Sequence, residues 1–169
     1  ANAEILVKGT IKASLTDSEI KVSKPVTIKP KDANAVLDAD NHCRIFKITG
    51  SGKLTLQKDS SNKITLTKGN ADKGGAVLVE TGRVFTAHNV TVEDCKVTGS
   101  GGGAVYVENA GEFTAYDLNI SGCKADGSGG AIFTENNTTV TVSNGKLSSC
   151  TAGGNGGAIV NGGALNISS

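Results

Sequence analysis

The residues that could do chemistry in this chain recur at a fixed interval. Glu80, Glu108 and Glu135 follow one another at steps of 28 and 27 residues, and Cys95, Cys123 and Cys150 do the same. Carboxylates on neighbouring turns of a repeat can ligate Ca²⁺ through oxygen, or share acid–base work in glycoside cleavage at separations of roughly 5–10 Å. An acidic stripe at a strand end, balanced by nearby lysines, is the plainer reading of the three glutamates. A metal centre made by the cysteines would need ligands that converge on one point. One Cys per turn spreads them along a line instead, and three in a row cannot all pair. They are expected to be buried, inert thiols, as free cysteines commonly are, with a disulfide between adjacent turns as the alternative. Cys43 precedes a strand and reads as out of phase with the other three. His42 and His88 fall at different phases with no partnered nucleophile, and His88 is expected in a turn. No catalytic residue, metal or cofactor is therefore assigned.

The elements that position these side chains follow from the same period. Gly-Gly-Ala occurs at 74–76, 102–104, 129–131 and 156–158, at intervals of 28, 27 and 27. Phe85, Phe113 and Val140 keep step with it. Each unit holds three short, β-branched pieces bounded by Gly, Asn, Asp and Ser, and none has the length or period of a helix. Such a unit cannot bury its own apolar side; stacking units about 4.8 Å apart closes the hydrogen bonding and makes one continuous core. The fold expected is all-β, a right-handed parallel β-helix with three sheets. Val77, Val105, Ile132 and Ile159 should then form one inward ladder, and Phe85, Phe113 and Val140 a second. A third holds Val92, Ile120 and Leu147, with Cys95, Cys123 and Cys150 filling a corner. Thr86, Thr114 and Thr141 have the opposite parity to the Phe ladder and should face out. Leu78, Tyr106 and Phe133 share the outward parity of the glutamates. An exposed apolar stripe of that kind would mark an interaction surface.

Residues 1–40 are less regular and read as an N-terminal cap with the first irregular coils. Residues 41–169 read as coils of about 27–28 residues, the last of them, opened by Gly156-Gly157-Ala158, cut short. Ala1-Asn2-Ala3 has the form of a cleaved export site. Aromatic residues are only 4% of the chain and Trp and Met are absent. That composition suits a narrow core of Val, Ile, Leu and Ala better than a bulky globular one. A formal charge of +1 gives no reason to invoke nucleic acid or an acidic lipid surface. No apolar run approaches the roughly 20 residues that span a bilayer, so direct membrane insertion is not expected.

The Gly-Gly-Ala-(Val/Ile) motifs at 74–77, 102–105, 129–132 and 156–159 resemble the GGAI motif of chlamydial polymorphic membrane proteins. That family pairs the motif with FxxN. The nearest match here, Phe85 to Asn89, is one residue longer, and later copies have Phe113 with Asp117 and Val140 with Asn144. The resemblance covers residues 64–167. It implies a β-helical passenger region of an autotransporter-like bacterial surface protein, displayed at the outer membrane or secreted, and acting as an adhesin or antigen. The partners expected are a host or neighbouring surface protein or glycan receptor, together with self-association through unpaired ends. The alternative is a glycan-binding or polysaccharide-degrading module. The candidate contact surface comprises Thr86, Thr114 and Thr141, Glu80, Glu108 and Glu135, and Leu78, Tyr106 and Phe133.

Overall fold

A computed structural model of the chain describes residues 2–59 and 61–169; Ala1, the first residue of the export-like tripeptide, lies outside them. No helix forms among the described residues. Every strand pairing described is parallel, and each strand pairs with its counterpart one turn away. The result is a β-solenoid of six turns and the first strand of a seventh.

Each complete turn passes through sheets A, B and C in that order. Sheet A has seven strands, from Ala3–Val7 through Val84–His88 and Glu112–Tyr116 to Ala164–Ser168. Sheet B has six, from Thr10–Lys12 through Val90–Glu93 to Lys146–Ser148. Sheet C has six, from Ile20–Val22 through Phe46–Ile48 and Val77–Val79 to Ile159–Asn161. The three sheets inferred from the repeat are thus present. A fourth, sheet D, joins B to C from the third turn onward, with strands Asn70–Lys73, Lys96–Gly101, Lys124–Ala125 and Thr151–Ala152. Its strands carry few apolar side chains, and two of them are only two residues long, so they do not announce themselves in the sequence.

The expected ladders form in register. Phe46, Val77, Val105, Ile132 and Ile159 stack on sheet C. Leu37, Leu66, Val92, Ile120 and Leu147 stack on sheet B. On sheet A the column runs Val26, Leu54, Phe85, Phe113, Val140, Leu165. The rings of Phe85 and Phe113 lie face to face, 5.0 Å apart and 5° from parallel. The coil rise imposes that geometry, since free aromatic pairs favour offset or edge-on contacts. Each fully buried side chain of this size contributes about 1.5–3 kcal/mol by leaving water.

Sharp corners separate the sheets, and they explain the Gly-Gly-Ala motif. The first glycine of each copy turns in the left-handed region, with φ of 54°, 65°, 67° and 62° at Gly74, Gly102, Gly129 and Gly156. The second lies against the next coil: a Cβ on Gly103 would run into the carbonyl of Gly130. The alanine points inward, and Ala76, Ala104 and Ala131 are fully buried. At the corner between sheets A and B, Asn89, Asp117 and Asn144 take φ of 54°, which Asn and Asp tolerate better than other residues with a Cβ.

Residues 2–40 supply the irregular coils expected there. Ala3–Val7 pairs residue for residue with Val26–Pro30, Thr10–Lys12 with Val36–Asp38, and Ile20–Val22 with Phe46–Ile48. No separate layer covers this first turn among the described residues. Its inward columns end on Ile5, Ile11 and Ile20, which are 48%, 53% and 50% exposed.

Candidate interaction surface

Sheet A presents a threonine column longer than the repeat alone suggested. Thr27 and Thr55 lie below Thr86, Thr114 and Thr141 in one register. Leu54, Phe85 and Phe113 beside them point into the core, so the threonines face out. Thr27 is nonetheless buried, and its hydroxyl accepts a bond from Asn2 Nδ2 at 3.0 Å. The column beside it ends each strand with His88 and Tyr116, stacked at 5.0 Å. His88 thus belongs to a strand rather than a turn, and Tyr116 is the exposed aromatic of this face.

Glu80, Glu108 and Glu135 sit where three sheet C strands end. Their amides donate to the coil below, to the carbonyls of Ile48, Val79 and Val107. The stripe is not a free anionic site, because two lysines on the same face pair with its three carboxylates. Lys47 pairs with Glu80 at 2.9 Å, and Lys73 lies 3.6 Å from Glu108 and 3.7 Å from Glu135. A bond from the Thr49 hydroxyl, and then the Lys47 ammonium, hold the Glu80 carboxyl below its ordinary range. No group of three His, Cys, Asp or Glu side chains converges as a metal site would require, among the described residues.

Leu78, Tyr106 and Phe133 stack outward in register as their parity demands, with Tyr106 and Phe133 rings 4.9 Å apart. Two of the three are not exposed. Leu78 keeps 5% of its surface and Tyr106 3%. The glycine turns between sheets D and C fold over these side chains, so closely that a Cβ on Gly74 would lie 3.1 Å from Tyr106 Cβ. Lys73 covers the Tyr106 ring, its Nζ 4.7 Å from the centroid, as a cation attracted to the ring face does. The phenol donates to Glu135 Oε1 at 2.8 Å. Burial, and then that carboxylate, push the phenol well above its ordinary range. The exposed stripe foreseen here is therefore a second, small core outside the coil. Phe133, half-buried, and an edge of Tyr106 open with Glu135 and Asn161 onto a shallow cavity of about 460 Å³. No protein-family model matches the chain, and comparison with curated proteins and with solved structures returns no match.

The cysteine ladder is present and carries one correction. Lys124 N bonds Cys95 O, and Thr151 N bonds Cys123 O, which stacks Cys95, Cys123 and Cys150. Lys96 N bonds Gly69 O and Asn70 N bonds Cys43 O in the same way, so the column runs Cys43, Gly69, Cys95, Cys123, Cys150. Cys43 is in phase after all. The missing thiol conceals it, because at Gly69 a Cβ would strike the carbonyl of Gly75. All four thiols are free. Cys95 and Cys123 are fully buried, and each of the three stacked thiols donates to the carbonyl two residues before it. The neighbouring Cys95 thiol, followed by burial, raises Cys123 far above the ordinary thiol range. An unreactive, protonated thiol follows.

Sequence reasoning missed Arg44. It replaces the second glycine of the motif in the second turn, which like the first lacks a sheet D strand, one residue before Ile45 and two before Phe46 of sheet C. Its guanidinium is buried beneath the lowest sheet D strand. Nε donates to the carbonyls of Lys73 and Gly74 at 3.0 and 3.1 Å, Nη2 to Asp72 at 2.8 Å, and Nη1 to Glu19. One side chain thereby satisfies carbonyls that a further backbone strand would otherwise meet. The signal was a lone arginine directly before an apolar strand, where later coils carry Gly-Ala.

Proposed function

We propose that this chain is a segment of a stiff, surface-displayed rod that acts by presenting its sheet faces to a host or neighbouring molecule, as a bacterial adhesin or antigen does. The observation that carries the reading is the unbroken register of sheets A, B and C from turn to turn. Such register fixes outward side chains in straight columns, and a surface built of columns offers one contact many times over. The threonine column and the His88–Tyr116 pair of sheet A are the contacts of this kind. The Gly-Gly-Ala-(Val/Ile) resemblance supports a place at the cell surface, in an outer-membrane or secreted protein, and a surface protein or glycan as the partner. Binding of the labelled chain to host cells and to immobilised matrix proteins tests the reading. It should saturate and should fall when Thr86, Thr114 and Thr141 are changed to Lys. Binding that never saturates, or that ignores the substitutions and Tyr116→Ala alike, would remove it.

The cavity beside Phe133 and Glu135 favours a second reading, a glycan-binding or glycan-cleaving module. Incubation with pectin and alginate separates the two. Release of reducing ends that disappears in Glu135→Gln would establish the enzyme; retention without release would place a glycan in the cavity.

A further inference from the structure

The near-zero net charge hides a division along the rod. Residues 1–70 carry 12 Lys+Arg against 7 Asp+Glu, a net +5, whereas residues 71–169 carry 5 against 9, a net −4. The excess of the first half gathers around one face. On sheet A, Lys53 opens the third strand and points away from the core, next to buried Leu54. Its partner in the strand below is Pro25, which places Lys24 beside it at the same edge. At the opposite edge Val7 pairs with Pro30, so Lys8 and Lys31 follow side by side, and Lys31 N bonds Val7 O. Lys8, Lys24, Lys31 and Lys53 are exposed and enter no ion pair among the described residues. Between the two edges lie Lys29, paired with Glu4 at 2.7 Å, the half-buried Thr55, and Thr27, whose buried hydroxyl is already bonded to Asn2. The same face higher up carries Glu112, Tyr116 and Ser143 instead.

We infer that the outer face of sheet A over the first three coils binds an anionic polysaccharide. This rests on the reading of the chain as an interaction rod and names one of its partners. The chemistry of the face selects the class. Its cations are compact, mobile ammonium groups rather than guanidinium forks, suited to dispersed sulfates and carboxylates. The first three coils contain one aromatic residue, Phe46, and it is fully buried. Single-stranded nucleic acid would need rings on which bases can stack. A flat sheet also lacks the protruding helix or ribbon that enters a duplex groove. Lysines at the two edges of a flat sheet face fit an extended chain of sugars that carries charge on successive units.

The test uses the 169-residue chain on immobilised heparin, hyaluronan and uncharged dextran, the first two separating sulfate from carboxylate as the group recognised. Retention on at least one anionic polymer and none on dextran is expected, declining steeply as salt rises through about 0.15 M. Changing Lys24, Lys31 and Lys53 together to Ala should weaken binding about tenfold, whereas Lys96, Lys124 and Lys146 changed to Ala remove the same charge and should leave it nearly intact. Arg at the first three positions should retain it. Equal losses in the two Ala triples would reduce the effect to net charge and overturn the inference. So would failure to bind either polymer, or tighter binding to duplex DNA or anionic lipid vesicles than to the polysaccharide. Cell binding measured in parallel keeps the two proposals apart. If it persists while heparin and hyaluronan both fail, only this inference falls; if cell binding is absent, the rod reading fails with it.

Discussion

The first three coils and the later ones reach the same cross-section by different means. From residue 74 onward each turn repeats one solution, with a glycine in the left-handed region, a second glycine pressed on the next coil and an inward alanine. Below, where the second coil has no sheet D strand, Arg44 spans the gap with charged hydrogen bonds to Glu19, Asp72 and two carbonyls. The inward ladders cross from one region to the other without a break. The contrast shows that the stack requires satisfied backbone groups and unobstructed rungs, and that either a steric device or an ionic one can meet the requirement.

The comparison breaks most severely if a glycine of the repeating region gains a side chain. Gly103→Val should cost about 4 kcal/mol or more, since the new atoms meet backbone that cannot yield. Gly9 turns with φ of 67° but has open space around it, so Gly9→Ala should cost only about 1–2 kcal/mol, the strain of that conformation. Urea midpoints measure both, and equal shifts would sink the distinction. Arg44→Met keeps an apolar stem but strands Glu19 and the carbonyls of Lys73 and Gly74. About 2–3 kcal/mol should be lost, less than for a wholly buried pair because Asp72 faces solvent. Hydrogen exchange should locate that loss at residues 70–74, and protection unchanged there would exclude the clasp.

Two smaller effects sharpen the same contrast. Cys123→Ala should cost about 1 kcal/mol, and Cys43→Ala, at the half-exposed lower end of the column, less. A thiol reagent should label Cys43 and Cys150 in the folded chain and reach Cys95 and Cys123 only on unfolding; uniform rates would contradict the stacked column. The Lys47–Glu80 pair gives the smallest effect. Because Glu80 titrates below the ordinary 4.5 in the fold, its contribution is present above that pH and disappears as pH falls through the lower, folded value. Lys47 is raised above 10.5, chiefly by the bond it donates to Glu80, so its share is present below that pH and disappears as pH rises through the higher, folded value. Glu80→Gln should flatten both limbs of a plot of Tm against pH, and an unaltered acid limb would show that the pair does nothing.

The ladders were legible because three kinds of residue shared one period, and a period shared by Gly-Gly-Ala, Phe and Cys leaves little freedom for anything but stacking. Outward parity was legible too, for Thr86, Thr114, Thr141 and the three glutamates. Exposure was not. Parity says which way Leu78 and Tyr106 point, whereas burial depends on how far the glycine turn folds back over them, and that distance leaves no trace in spacing. Cys43 was misjudged for a related reason. The residue that links it to the column is Gly69, which shares no side chain with its neighbours, and the missing sheet D segment of the second coil shifts the count. Sheet D and Arg44 were missed together, since one exists to close off the other.

The direction of the hydrogen bonds has a mechanical meaning. Strand pairs join one turn to the next, so their bonds point along the rod. Tension between the ends would load only the outermost turn at any moment and peel it before the next, so that the rod pays out chain in steps. A turn of 27 or 28 residues unravelled to full extension supplies roughly 90 Å of slack. A pulled single molecule should therefore yield at nearly constant force in increments that are nearly even through the Gly-Gly-Ala turns and irregular below them, where Arg44 ties three turns together.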